Sequence, residues 1–355
     1  MNIYYTTKKE RNKYVKLSKD FMRILNGPDI SQDTAEKEYT FRQHIDRHNY
    51  WINGKVDIKT SVVIDDVQSE YYSFKIPKKT GGYRQIDAPS DTLKLIQTEI
   101  LRQLKKACPY PHNCAHAYTE NKSTLTAMQT HIKNNSHWYL KIDLSSFFPS
   151  CTKELVMDKL MEVYPFYKLT PDAKDTILKY CFLNGSLPQG APTSPYLSNI
   201  IMIPFDYAVT EYCAQRNLVY TRYADDIIIS GYEKFDYKRV IEQVELVLSA
   251  QYPTLKINPD KVRFGNAAGK NWNLGLMVAG NKLTVGNQRK RQLKQSLYNY
   301  KKTKDSWTLN DLQSLLGELQ YIINVEPTIY ETMYMPKYGD VRKEIIEQIK
   351  TLSRV

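Results

Sequence analysis

The chain has 355 residues, 42% hydrophobic and 25% charged, the composition of an ordinary folded protein large enough for one multi-lobed domain or two to three smaller ones. Lysine and arginine number 50 against 38 acids, and a net charge of +12 favours a polyanionic partner through counterion release from phosphates. No run approaches the roughly 18 apolar residues of a membrane span, and Met1 to Tyr5 lack a secretory apolar core, so the expectation is a cytoplasmic protein with no membrane partner.

Taken in chain order, the first stretch, to about Gln68, mixes charges with short apolar groups and reads as mostly helical. Two β-like runs, Tyr72 to Ile76 and Tyr83 to Ile86, flank Lys78-Lys79-Thr80-Gly81-Gly82. A glycine pair between such runs signals a hairpin, here with lysines at its tip and Arg84 on the returning strand. Pro89 and Ser90 lead into a helix over Leu93 to Leu104, whose Leu93, Ile96, Ile100, Leu101 and Leu104 keep helical spacing. Cys108, His112, Cys114 and His116 fall within nine residues, tighter than the two separated ligand pairs of a zinc site. The five cysteines form no CxxC and read as reduced thiols.

Trp138 to Leu144, WYLKIDL, reads as a buried strand ending in an acid. Helices are expected over Lys153 to Tyr164 and Asp172 to Leu183. Leu218 to Tyr223 and Ile227 to Ser230 read as two strands joined by Ala224, Asp225 and Asp226. A helix follows over Tyr237 to Leu248, with Val240, Ile241, Val244 and Leu248 on one face. Asn273 to Val285 reads as a second hairpin turning near Gly280-Asn281. From Asn287 the pattern is helical again, and Arg289 to Lys304 carries seven basic residues and no acid. Thr308 to Asp311 resembles a capping box ahead of Leu312, Leu315, Leu316 and Leu319. The 28 tyrosines suit base stacking or plain packing, and their number does not choose between the two.

The chemistry concentrates in carboxylates. An isolated Asp-Asp pair is usually an exposed turn. Here Asp225 and Asp226 sit between two apolar β-like runs, where unpaired like charges are costly and a divalent cation removes the cost. Asp143 ends another such run, and two adjacent strands bring the three acids together. Three carboxylates suit two-metal phosphoryl or nucleotidyl transfer.

Six motifs then occur in one order. Tyr223-Ala224-Asp225-Asp226 resembles the signature tetrapeptide of reverse transcriptases. KIDLSSFF from Lys141 and LPQGAPTSPYLSN from Leu187 resemble the family's first catalytic motif and the next one. NPDKVRF from Asn258 and NLGLMV from Asn273 resemble the two that follow the tetrapeptide, and Tyr72 to Pro89 the fingers motif ahead of them. Bacterial retron enzymes are the nearest in pattern. The stretch departs from them at Ala127-Met128-Gln129-Thr130-His131, where only the histidine of Asn-Ala-x-x-His stands, at Asn273-Leu274-Gly275, where only the glycine of Val-Thr-Gly stands, and at His116-Ala117-Tyr118, where His-Gly-Phe is commoner.

The resemblance implies an α+β right-hand polymerase fold, with the N-terminal region and fingers over 1–138, an antiparallel palm sheet with helices over 139–286, and a short helical thumb over 287–355. It implies RNA-directed DNA synthesis with two Mg2+ ions, Mn2+ being a substitute, held by Asp143, Asp225, Asp226 and the Leu144 carbonyl. Lys78, Lys79 and Arg84 would grip the dNTP triphosphate, Phe148 would exclude a ribose 2′-OH, and Phe147 would be the core ring of that pair. Gln189, Gly190 and Tyr223 would line the nucleotide and template, and Lys261 would protonate the leaving pyrophosphate. Gly275 would help hold the primer end, and Arg289, Lys290, Arg291 and Lys294 would lie on phosphates. The implied partners are a structured noncoding RNA serving as template and primer, its DNA product, dNTPs, and an effector protein of an anti-phage defence system. Another bacterial lineage with different priming, whether defence-associated, CRISPR-associated or intron-derived, and a non-catalytic RNA-binding module remain alternatives. The oligomeric state stays open.

Overall fold

The computed structural model describes residues 55–78, 81–108, 110–266, 272–279 and 282–353. The expected helical character of residues before 55 lies outside the described residues. Residues 55–67 are not helical. Val56 and Ile58 alternate with Lys55 and Asp57, a period of two, and both apolar side chains are buried, Val56 in a parallel bridge to Leu169.

β1 (Tyr71–Pro77) and β2 (Tyr83–Pro89) form the expected antiparallel hairpin, in register from Tyr71 opposite Pro89 to Pro77 opposite Tyr83. α1 (Asp91–Ala107) starts where Ser90 accepts a hydrogen bond from the Leu93 amide, and it carries Asp91 in its first turn and Lys105 and Lys106 in its last. Its Leu93, Ile96, Ile100 and Leu104 are buried, each contributing about 2 kcal/mol of apolar transfer. α2 (Thr124–Lys133) follows, then β3 (Trp138–Asp143). Past the four-residue α3 (Phe147–Ser150) come α4 (Lys153–Met161) and α5 (Pro171–Tyr180), capped by Thr152 and Thr170.

α6 (Ser194–Ile201) and α7 (Ile203–Ala214) go beyond the expected helices, apart from the helix entry at the LPQG loop. Tyr196, Leu197, Ile200, Ile201, Met202, Ile203 and Phe205 are all buried. Ser198, Asn199 and Asp206 are buried among them, and polar residues inside the apolar face blur the stripe that periodicity detects. β4 (Val219–Tyr223) and β5 (Asp226–Gly231) are the two strands expected around the Asp pair, and α8 (Tyr237–Gln251) buries Val240, Val244, Val247 and Leu248. Ile241 lies at the edge of that face. β6 (Arg263–Asn266) completes a four-stranded sheet of order β4-β5-β3-β6.

β7 (Trp272–Asn273), β8 (Leu276–Ala279) and β9 (Lys282–Thr284) make a three-stranded antiparallel sheet. The expected β8–β9 hairpin forms, its turn residues lying outside the described residues. A second reversal, at Leu274 and Gly275, is set by positive φ at both (53° and 76°). α9 (Asn287–Lys302), α10 (Leu309–Val325), α11 (Met335–Tyr338) and α12 (Val341–Leu352) finish the chain, and the capping box at Thr308 and Asp311 forms as read.

The described residues divide into two compact units, one falling within 55–123, 140–229 and 236–263, the other within 124–139, 230–235 and 264–353. In the first, α1 packs on α5 and β2, and α7 on α8 and β4. In the second, α2 lies on β8 and β9, while α9 packs on α10 and buries Leu293, Leu297 and Tyr300.

Candidate active site

β3 and β5 are buried strands. Tyr139, Leu140 and Ile142 on one, and Ile227, Ile228 and Ile229 on the other, have no exposed surface. This burial fixes the register, because a one-residue slip would turn acids into the core. Asp143 is the last residue of β3 and Asp226 the first of β5. Between β4 and β5 only Ala224 and Asp225 remain to make the turn, with Ala224 in the left-handed region at φ 56°. The Leu144 amide donates to the Asp225 carbonyl at 3.1 Å, tying the end of β3 to that turn. The Asn258 amide donates to the Asp143 carbonyl at 2.8 Å, which brings the segment carrying Lys261 alongside.

The three carboxylates are unequally compensated. Lys261 Nζ lies 2.9 and 3.0 Å from the two Asp143 oxygens, and Asp143 raises the Lys261 ammonium above its ordinary range. Lys141 Nζ stands 2.8 Å from Asp226 Oδ1, a charge contact without hydrogen-bond alignment, so that buried oxygen has no hydrogen-bond donor. Burial, then the neighbouring Asp226 charge, push the Asp225 carboxyl up to about 6. A carboxylate oxygen with no hydrogen-bond donor, beside a carboxyl raised by burial and a like charge, fits a divalent cation held by Asp143, Asp225 and Asp226.

A cavity of about 740 Å3 opens at these acids. Lys78, Arg84, Asp143, Leu144, Phe148, Gln189, Asp225 and Lys261 line it together. The hairpin tip is closed by the Lys78 amide on the Gly82 carbonyl, while Lys79 lies outside the described residues. Phe147 is buried and Phe148 is its half-exposed neighbour, ring centroids 5.6 Å apart. The Asp87 amide donates to the Gln189 carbonyl at 2.7 Å, so the LPQG loop is joined to β2. Gly190 follows at φ 142°, and a Cβ there would stand 2.5 Å from the Asp87 carbonyl oxygen. The close approach at Gly190 is thus to the chain's own hairpin. Asp226, Gly190 and Tyr223 are not among the cavity-lining residues.

Behind the turn lies Arg222, fully buried. Its guanidinium donates to both Asp206 oxygens (2.8 and 2.6 Å), to Asn199 Oδ1 (3.0 Å) and to the Ala224 carbonyl (3.2 Å). The Tyr220 hydroxyl also donates to Asp206, at 2.7 Å. Asp206 lies with His112 and Cys114 in a cluster of metal-ligating groups within 4.8 Å. Both Asp206 oxygens are already engaged, so that cluster is an ion-pair lock on the catalytic turn. Burial lowers His112 and His116 to about 4, keeping both neutral.

The other unit holds the remaining expected residues. Gly275 sits in the β7–β8 reversal with open space where a Cβ would project. Arg289 forms a two-point ion pair with Glu318 and lies over the Tyr321 ring, and Lys290 pairs with Glu326 at 2.6 Å. Arg291 is exposed and Lys294 partly so.

Several residues at the site carried no separate signal in the sequence reading. Lys141 was legible only as part of a motif, although its i, i+2 spacing from Asp143 puts both on one face of β3. Tyr118 lines the cavity and faces Phe148 at 6.4 Å; the sequence marks it only as the last residue of His116-Ala117-Tyr118, with no role attached.

The profile of the family described as "Reverse transcriptase (RNA-dependent DNA polymerase)" matches residues 76–300. The retron Ec83 reverse transcriptase of Escherichia coli is 31% identical over 296 residues, covering 80% of this chain and 91% of that protein. The retron Ec73 reverse transcriptase of Escherichia coli is 29% identical over 283 residues, covering 75% of this chain and 87% of that one. Among solved structures, apo telomerase from Candida tropicalis shares the fold with a TM-score of 0.50 at 13% identity, covering 89% of this chain and 67% of that chain. Enzymes of this family depend on divalent metal, in keeping with the acid cluster at the cavity. The chain belongs to the reverse transcriptases, and is an RNA-directed DNA polymerase of the retron type with the right-hand polymerase fold.

Proposed function

We propose that the protein copies a structured noncoding RNA into DNA, extending a primer hydroxyl with dNTPs, and that it does so within an anti-phage defence system alongside an effector protein. The observation that carries this reading is the single cavity shared by Asp143, Asp225, Phe148, Gln189, Lys261 and the hairpin cations Lys78 and Arg84. That is one acid pole, one cationic pole and a ring between them, a plan that suits a nucleoside triphosphate.

Asp143, Asp225, Asp226 and the Leu144 carbonyl would hold two Mg2+ ions, or Mn2+ in their place. Bound there, the ions lower the pKa of the attacking hydroxyl and stabilise the leaving pyrophosphate. Lys78 and Arg84, with Lys79, grip the triphosphate; Phe148 meets the sugar; Gln189, Gly190 and Tyr223 border the nucleotide and template. Lys261 is within reach of Asp143 and of the cavity, and delivers the proton to pyrophosphate. In lobes, 1–138 supplies the fingers, 139–286 the palm and 287–355 the thumb, with Gly275 at the primer end and Arg291 and Lys294 on phosphates. Among the described residues no helix is long and apolar enough to cross a membrane.

The test is purification from a bacterial host with sequencing of the nucleic acid that accompanies the protein, beside Asp225→Ala/Asp226→Ala. One structured RNA joined to a DNA copy, with the DNA lost in the variant, is the expected result. RNA with no DNA in either protein would sink the catalytic reading. DNA unlinked to such an RNA would keep the polymerase and discard self-priming.

A further inference from the structure

We propose that Tyr118 is a specificity-determining residue of the nucleotide site, its ring backing Phe148 so that two rings, not one, bound the space for the sugar. The inference rests on the nucleotide pocket proposed above and deepens it.

The segment leading to Tyr118 is pinned from several sides. Ala115 pairs with Arg222 in a parallel bridge. The His116 amide donates to the Arg222 carbonyl at 2.8 Å, and the Arg222 amide to the Cys114 carbonyl at 2.8 Å. Ala117 has no exposed surface, and its carbonyl accepts from Asn199 Nδ2 at 2.7 Å and from Thr119 Oγ1 at 3.1 Å. One residue later the chain leaves the interior, with Tyr118 at φ 57° and 52% exposed. A bulky residue in the left-handed region costs free energy and persists only where its surroundings impose it. Here the Asn199 amide and the Arg222 main chain impose it, while the Arg222 guanidinium holds Asn199 and the Ala224 carbonyl of the catalytic turn.

The ring so presented enters the cavity with Asp143 and Asp225 and meets Phe148 at 6.4 Å, tilted by 53°. Phe147, 5.6 Å away, backs Phe148 from the core. Phe148 thus stands between two rings. Without Tyr118 it gains room to turn about its side-chain bonds and yield to a 2′-OH. Packing on the sugar would weaken as well.

The experiment is steady-state insertion of one dNTP and its matching rNTP on a primed RNA template by the wild type, Tyr118→Phe, Tyr118→Ala and Phe148→Ala. Losing one ring contact corresponds to an effect of up to about tenfold. For Tyr118→Ala the expected result is about tenfold lower discrimination against rNTP, carried by KM with kcat within about threefold. Tyr118→Phe keeps the ring and stays near wild type. Should Tyr118→Ala lower the melting temperature, Tyr118→Gly relieves the left-handed backbone and gives the same readout. Relaxed discrimination in Phe148→Ala with none in Tyr118→Ala or Tyr118→Gly overturns the role of Tyr118 alone. Unchanged discrimination in Phe148→Ala means the pocket itself was misassigned, and the inference falls with it.

Discussion

Lys261 Nζ bridges both carboxylate oxygens of Asp143, at 2.9 and 3.0 Å, so the acid at the end of β3 is matched by an ammonium. Lys141 stands in the same relation to Asp226, less well aligned, and Asp225 is left as the carboxyl that burial and its neighbours push up. Both lysines lower the repulsion among the three acids, and a cation at the proposed metal site would compete with them.

The first prediction tests that competition. Lys141→Gln removes one of these lysines, so metal-free protein loses stability and divalent cation restores more of it. The increase in melting temperature on adding Mg2+ is expected to exceed that of the wild type, by an amount corresponding to about 1 kcal/mol for a partly exposed pair. An equal increase in both proteins would mean Lys141 does not share the metal's place.

Asp225→Asn should separate stability from activity. At neutral pH the native state holds Asp225 charged against burial and against Asp226 and Asp143. Deleting that charge is predicted to raise metal-free stability by about 1–3 kcal/mol while abolishing dNTP incorporation. Chemical denaturation in EDTA, paired with an insertion assay, reads both. A variant less stable than the wild type would show that Asp225 is a structural residue instead.

The catalytic strands were legible because their signals are local. Apolar runs around Asp143 and around the Asp225–Asp226 pair specify buried strands, and the Gly81-Gly82 pair specifies the hairpin. What was hidden depends on distant partners. Arg222 looks like a polar residue in a strand until Asp206 and Asn199, buried polar residues on two helices distant in sequence, close around it. Tyr118 takes its orientation from Asn199, far along the chain. Half of the basic quartet on α9 turns out to be spoken for, since Glu318 and Glu326 come from α10 and its end.

Gly190 gives a steric prediction. Gly190→Ala places a Cβ 2.5 Å from the Asp87 carbonyl oxygen, backbone that cannot swing aside, at a φ of 142°. The LPQG loop must then shift and weaken the Gln189–Asp87 link. The expected result is a loss of about 1–3 kcal/mol in stability with at least about a tenfold rise in KM for dNTP. Unaltered KM would disconnect the loop from the nucleotide.

Acid should loosen the lock behind the turn. His112 and His116 titrate near 4 in the folded chain and near 6.5 when unfolded, so between those values the unfolded state binds more protons. The histidines' contribution to stability is therefore full above about 6.5 and falls as pH drops toward 4, while Asp225, raised to about 6, acts in the opposite sense. From pH 7.5 to 5.5 the loss is about 1 kcal/mol per histidine, measured by urea denaturation. His112→Gln should flatten its share of the slope; an unchanged slope would place the titration elsewhere.

The basic helix α9 makes the last prediction, because its cations divide by partner. Arg289 is held by Glu318 and Tyr321, and Lys290 by Glu326, which also accepts from the Thr284 hydroxyl and the Val285 amide. Neither can reach a phosphate without breaking those contacts. Arg291 and Lys294 form no ion pair among the described residues. Each phosphate contact adds about one unit to the slope of log affinity against log salt. Arg291→Ala and Lys294→Ala should each lower the slope for RNA by about one unit and leave the melting temperature alone. Arg289→Ala should keep the slope and cost up to about 1 kcal/mol of stability, the worth of a half-exposed pair with a ring beneath it. If Arg289→Ala instead lowers the slope, Glu318 releases its arginine when RNA binds, and the ion pair belongs to the unbound enzyme only.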